Sequence, residues 1–163
     1  MVAQPTKSAE PPRPPPGYSA RQTFAPCRTE CPWTVEVLAV DDDSADLTLI
    51  AEALRRNPRV RASTMMHDPR EALYTLVHGT VRPDLILLDI HMPKVDGFTF
   101  VKALRQAPWL TRTPVVLLTT SNRATEVERA RESDVAAYIV KPDTFDDLQA
   151  RIDGVIEPLV LRN

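Results

Sequence analysis

From Val35 onward the chain alternates between short apolar runs and stretches whose apolar residues recur every three or four positions. The runs are Val35 to Val40, Leu85 to Asp89, Val115 to Thr119 and Ala137 to Val140, with a more polar segment, Arg59 to Met66, after the first. Unbroken apolar runs of this length predict strands covered on both faces, and the polar segment predicts a half-exposed strand. Between the runs, Leu47, Ile50, Ala51 and Leu54 fall on one helical stripe, so a helix is expected from Ser44 to about Arg56, capped by Ser44 or Asp43 and stopped by Asn57-Pro58. Pro69 opens a second helix with Ala72, Leu73, Leu76 and Val77 facing inward and Gly79 at its end. Further helices are predicted from Gly97 to about Gln106, from Asn122 or Arg123 with Glu126 to Arg131 as a solvated charged face, and from a cap at Asp143 or Thr144 through Leu148, Ile152, Val155 and Ile156. Successive strand–helix units make parallel neighbours joined by right-handed crossovers. The expected fold is therefore α/β: a five-stranded, doubly wound parallel sheet of order 2-1-3-4-5 in three α/β/α layers.

The polar residues that end these runs carry the chemistry. Val40 leads into Asp41-Asp42-Asp43, Leu88 into Asp89, Leu118 into Thr119 and Val140 into Lys141. In the expected order the first and third strands are neighbours about 4.8 Å apart, which brings Asp41, Asp42 and Asp89 together at the carboxyl edge where such sheets bind ligands. Carboxylates that close cannot all ionise without a counter-charge. All-oxygen ligation suits magnesium, which keeps open positions for a phosphate. With the Lys141 ammonium and the Thr119 hydroxyl beside it, the group resembles a phosphoryl-transfer site with Asp89 as nucleophile. Asp43 is read only as a helix cap.

Composition narrows the context. Residues 1–33 hold eight of the sixteen prolines, including Pro11-Pro12-Arg13-Pro14-Pro15-Pro16, and few large aliphatics, so a disordered or polyproline II tail is expected there. Its two cysteines, Cys27 and Cys31, are the chain's only ones and read as reduced thiols rather than half of a metal site. The formal net charge of −2 argues against a nucleic-acid partner held by bulk charge. No apolar stretch is long enough for a bilayer and no signal core follows the first residues, which predicts a cytoplasmic protein with no membrane partner.

The runs VDDDSAD, PDLILLDIHMPKVDGF, PVVLLTTS and AAYIVKP resemble the receiver domain of two-component response regulators, a flavodoxin-like fold, over about residues 35 to 157. The resemblance implies that Asp89 is the phosphoacceptor and that Asp42, Asp89 and the His91 backbone carbonyl bind magnesium, with Asp41 assisting through water. It implies contacts of Thr119 and Lys141 with the phosphoryl oxygens, Tyr138 as the aromatic that swings inward with Thr119 on activation, and a cis Lys141-Pro142 peptide. The expected organisation is a tail at 1–33, a receiver domain at 34–157 and a C-terminal tail at 158–163 whose Leu159-Val160-Leu161 either packs back or forms a homodimer contact. The SAD after the acidic cluster, the long Gln106 to Thr113 connection, the paired Thr119-Thr120 and the Asp134-Val135 before the aromatic strand resemble the small single-domain regulators paired with phytochrome-type histidine kinases. The implied partners are a sensor histidine kinase, phytochrome-type in the narrower resemblance, or a histidine phosphotransfer protein docking on the first helix near Ala45 and Thr48.

The function expected is phosphorelay signalling in which Asp89 takes a phosphoryl group from a kinase histidine and a protein-binding surface changes. The protein is expected not to be an enzyme beyond its own phosphorylation and dephosphorylation, which His91 and Ser121 are candidates to tune. The alternatives are an unphosphorylated pseudo-receiver scaffold and a haloacid-dehalogenase-like phosphatase. The phosphatase needs a second aspartate two residues after the nucleophile, where this chain has His91.

Overall fold

The computed structural model describes residues 34–121 and 123–160. Strands β1 (Val35–Val40), β2 (Val60–Met66), β3 (Leu85–Asp89), β4 (Val115–Thr119) and β5 (Ala137–Val140) form one parallel sheet of order β2-β1-β3-β4-β5. The expected order and layering hold. Every residue of β3 and β4 is buried, as their unbroken apolar runs require, whereas β2 at the edge is largely exposed.

Alternate strand residues feed two cores. Leu38, Val40, Ile86, Leu88, Val115 and Leu117 pack with the side that carries helices α2 (Pro69–Val77) and α3 (Gly97–Leu104), including Ala72, Leu76, Phe100 and Leu104. Val37, Ala39, Leu85, Leu87, Val116 and Leu118 face α1 (Ser44–Arg56) and α5 (Phe145–Val160) through Leu47, Ile50, Leu54, Ile152 and Ile156. Helix α4 (Ala124–Glu132) completes the fold between β4 and β5.

The helices that leave the carboxyl edge after β1 and β3 are pinned by aspartates. Asp43 caps α1 by accepting from the Ala45 and Asp46 N–H groups, and Asp96 caps α3 through Phe98 and Thr99. At α5 the Thr144 hydroxyl accepts the Asp147 N–H at 3.2 Å. Helix α4 begins after Arg123 with no side-chain cap, and Asn122, the other start read from the sequence, lies outside the described residues.

Three expectations change. Helix α3 ends at Leu104 rather than about Gln106, and a short 3-10 turn at Pro108–Leu110 follows. Helix α5 continues through Pro158 to Val160, which is buried in the α1/α5 core, so Leu159 and Val160 pack on their own domain instead of opening a tail. The Lys141-Pro142 peptide is trans, since no cis bond occurs among the described residues. The proline-rich tail, Cys27, Cys31 and Leu161 lie outside the described residues. Among the described residues no helix is long and apolar enough to cross a membrane.

Candidate functional site

Because the strands are parallel, β1, β3, β4 and β5 end on one edge. Val40 pairs with Leu88, so Asp41, one residue on, comes level with Asp89. One carboxylate oxygen from each of Asp41, Asp42 and Asp89 lies within 4.8 Å of the others. Asp41 and Asp89 are buried and Asp42 is exposed, which leaves the cluster open on one side.

Lys141 reaches this corner from the end of β5. Its Nζ lies 2.7 Å from Asp41 Oδ2 and 2.7 Å from Asp89 Oδ1. The second Asp89 oxygen, Oδ2, accepts the His91 backbone N–H at 2.6 Å. Asp41 Oδ1 in turn accepts the Asp43 N–H at 2.9 Å. Burial lifts the Asp41 carboxyl above its ordinary value, outweighing the hydrogen bonds from Lys141 and the Asp43 N–H. Burial works against the Lys141 ammonium, but its bonds to Asp41, Asp46 and Asp89 outweigh that and hold its pKa above the ordinary 10.5. The buried corner therefore holds a cation beside an Asp41 carboxyl that burial biases toward the neutral form. An all-oxygen donor set of this kind fits a hard divalent metal.

Thr119 is fully buried, and its hydroxyl faces a second polar group rather than Asp89. It accepts the Ser121 N–H at 3.0 Å and lies 3.4 Å from His91 Nδ1 and 3.5 Å from Glu126 Oε2. Glu126 also takes the Tyr138 hydroxyl at 3.5 Å and lies 3.2 Å from His91 Nε2, while Tyr138 donates at 2.9 Å to the Ser121 carbonyl. Burial and the Glu126 carboxylate raise the Tyr138 phenol above its ordinary pKa.

Thus Asp41, Asp42, Asp89 and Lys141 meet directly, whereas Thr119, Tyr138 and the His91 ring meet around Glu126. Two acids were missed. Asp46, in the first turn of α1, lies 2.6 Å from Lys141 Nζ. Glu126, expected on a solvated face, is buried at 8% exposure. Its burial corrects that expectation, and the half-exposed His91 ring lies against it. Both acids sit in the first turn of a helix that leaves the carboxyl edge, a position that tips a side chain back over the site. That placement was the available signal.

An open-edged acidic cluster with a strand-end lysine and threonine, on this sheet order, defines a receiver of two-component signalling. The family model for the response regulator receiver domain matches residues 37–153. The chain belongs to that family. It is 33% identical over 124 residues to response regulator Rcp1 of Synechocystis sp., covering 73% of this chain and 84% of that protein. Among solved structures, the phosphorylated cyanobacterial phytochrome response regulator RcpA superposes with a TM-score of 0.70 at 29% identity, covering 80% of this chain and 96% of that one. The Mn2+-bound form of Rcp1 gives 0.66 at 32% identity, covering 74% and 91%.

Proposed function

We propose that this receiver is a phosphorylation switch in which Asp89 takes a phosphoryl group from the histidine of a sensor kinase or a histidine phosphotransfer protein. A carboxylate oxygen of Asp89 attacks phosphorus, the new P–O bond forms and the P–N bond to the donor imidazole breaks. The observation that carries this reading is that buried Asp89 lies within 4.8 Å of the Asp41 and Asp42 carboxylate oxygens and 2.7 Å from the Lys141 ammonium. Asp42, Asp89 and the His91 carbonyl would hold magnesium, with Asp41 assisting; the ion, once bound, offsets the negative charge of the phosphoryl group and its acceptor. Lys141 and Thr119 would take phosphoryl oxygens. For Thr119 this means turning away from His91 and Glu126, and Tyr138, bound to the same Glu126, would move with it. The change would be read on the α4 and β5 side by a partner protein.

The similarity to the cyanobacterial phytochrome response regulator RcpA supports a phytochrome-type histidine kinase as the donor. Intact-mass measurement after incubation with acetyl phosphate and magnesium tests the central claim. One added phosphate that is absent in Asp89→Asn supports it, and an unmodified wild-type chain would leave a scaffold role.

A further inference from the structure

The Lys141 ammonium donates hydrogen bonds to Asp41 Oδ2 at 2.7 Å and Asp46 Oδ2 at 2.6 Å, and it forms an ion pair with Asp89 Oδ1 at 2.7 Å. Asp41 and Asp89 belong to the cluster suited to a metal, and Asp46 does not. Any dication loaded on that cluster competes for the Asp41 and Asp89 oxygens. Asp46 is the carboxylate left free to hold the lysine.

Its own position is set locally. Asp43 Oδ1 accepts the Asp46 N–H at 3.4 Å as part of the α1 cap, which fixes the turn carrying Asp46. The side chain then spans from α1 to the end of β5, a link between residues 95 apart in sequence. At 31% exposure it is wetter than Lys141 at 11%, so it ties a buried ammonium to the rim. A lysine head on a flexible four-carbon stem needs such ties to stay in one place.

Resting on the reading of Asp89 as phosphoacceptor, we propose that Asp46 is a positioning residue for phosphoryl transfer. Asp46 keeps its hold on Lys141 while a dication draws on the Asp41 and Asp89 oxygens, so the ammonium now beside Asp89 Oδ1 is presented to an oxygen of the arriving phosphoryl group. No proton moves: the lysine stays an ammonium while the P–O bond to Asp89 forms and the donor's bond to phosphorus breaks. With acetyl phosphate as donor, acetate leaves.

The test uses the full chain with acetyl phosphate at saturating magnesium, following phosphorylation by intact mass and magnesium affinity by calorimetry. Asp46→Ala is expected to lower the maximal rate constant by about tenfold, as a misplaced contact does, with magnesium affinity changed by less than about threefold. Asp46→Asn keeps an acceptor and is expected to recover most of the rate. In a Lys141→Ala background, Asp46→Ala is expected to change nothing further, because the group it positions is gone. The Lys141 ammonium signal in 1H–15N spectra is expected to be sharp in the wild type and exchange-broadened in Asp46→Ala; this also serves if that variant is too unstable for kinetics. A wild-type rate in Asp46→Ala overturns the proposal, and so does an equal loss of rate in the Lys141→Ala background. Absence of phosphorylation in the wild type itself overturns instead the reading of Asp89.

Discussion

His91 Nε2 lies 3.2 Å from Glu126 Oε1, and this pair ties the loop after Asp89 to helix α4. Glu126 is buried, and among the described residues the His91 ring lies on it and no lysine or arginine does. The same carboxylate accepts from Thr119 and Tyr138. A buried anion here opposes further negative charge at Asp89. At an effective dielectric near 20, a nearby like charge repels by about 1–2 kcal/mol. Glu126→Gln, which keeps the shape and loses the charge, is expected to bind the phosphoryl mimic beryllofluoride on the order of tenfold more tightly. A titration followed by NMR checks this, and unchanged affinity would detach Glu126 from the switch.

That pair was invisible in the sequence for a physical reason. Strand identity was legible because Leu85 to Leu88 and Val115 to Leu118 are apolar without a break, and only a doubly covered strand needs that. The strand-end acids were legible because register in a parallel sheet brings equivalent ends together. Glu126 stands among Arg123, Glu128, Arg129 and Arg131, where composition reads as solvent face, and its burial depends on how α4 lies over β4 and β5. Asp46 sits in a helix first turn, where an acid is already explained by the helix dipole. Val160 was masked by Pro158, although Leu148, Ile152, Ile156 and Val160 keep the same four-residue spacing on the buried face of α5. Proline there did not end the helix.

Asp42 offers a clean way to weigh repulsion against metal binding. Its carboxylate is exposed, sits within 4.8 Å of Asp41 and Asp89 oxygens, and makes no hydrogen bond or ion pair among the described residues. Like charges that close cost about 1 kcal/mol even in water-like surroundings. Asp42→Asn is therefore expected to raise metal-free stability by about 0.5–1 kcal/mol. The wild type is expected to gain about 1.4 kcal/mol for each tenfold rise in magnesium beyond its dissociation constant, and the variant to lose that response. Urea unfolding with and without magnesium measures both effects.

Lys141 sets an alkaline dependence. Burial lowers its pKa, and its carboxylate bonds more than reverse that, so the folded value lies above the unfolded 10.5. Its stabilisation is then fully present below pH 10.5 and is lost as pH climbs through the folded value. Asp41 is also raised, chiefly by burial, so its favourable contribution is complete only below 3.8 and fades as pH rises through the folded value. Removing the cation leaves Asp41, Asp46 and Asp89 uncompensated. Lys141→Met is expected to cost about 3 kcal/mol near neutral pH. The gap should persist up to pH 10.5 and narrow above it, and should narrow also in acid as Asp41 protonates. Urea midpoints across the pH range provide the check; equal stability at pH 7 would show that the ion pairs contribute nothing net.

Gly97 and Gly154 test how rigidly the backbone frames the site. A Cβ on Gly97 would stand 2.7 Å from the Asp89 carbonyl oxygen and 3.0 Å from Ile90 Cα, both backbone atoms that cannot rotate away. The Gly97 N–H also donates to the Ile90 carbonyl at 2.9 Å, so α3 begins hard against the end of β3. An added methyl must push the strand end that carries Asp89, and overpacking of this kind costs about 1–3 kcal/mol. Gly154 lies inside α5 with nothing within 4 Å of an added Cβ. There alanine removes only the entropy cost of glycine in a helix, a gain of about 0.5–1 kcal/mol. Gly97→Ala is therefore expected to lower both the unfolding midpoint and the magnesium affinity, while Gly154→Ala raises the midpoint and leaves the affinity alone. Loss of stability in Gly97→Ala with unchanged magnesium affinity would mean that the strand end absorbs the shift without moving its carboxylate.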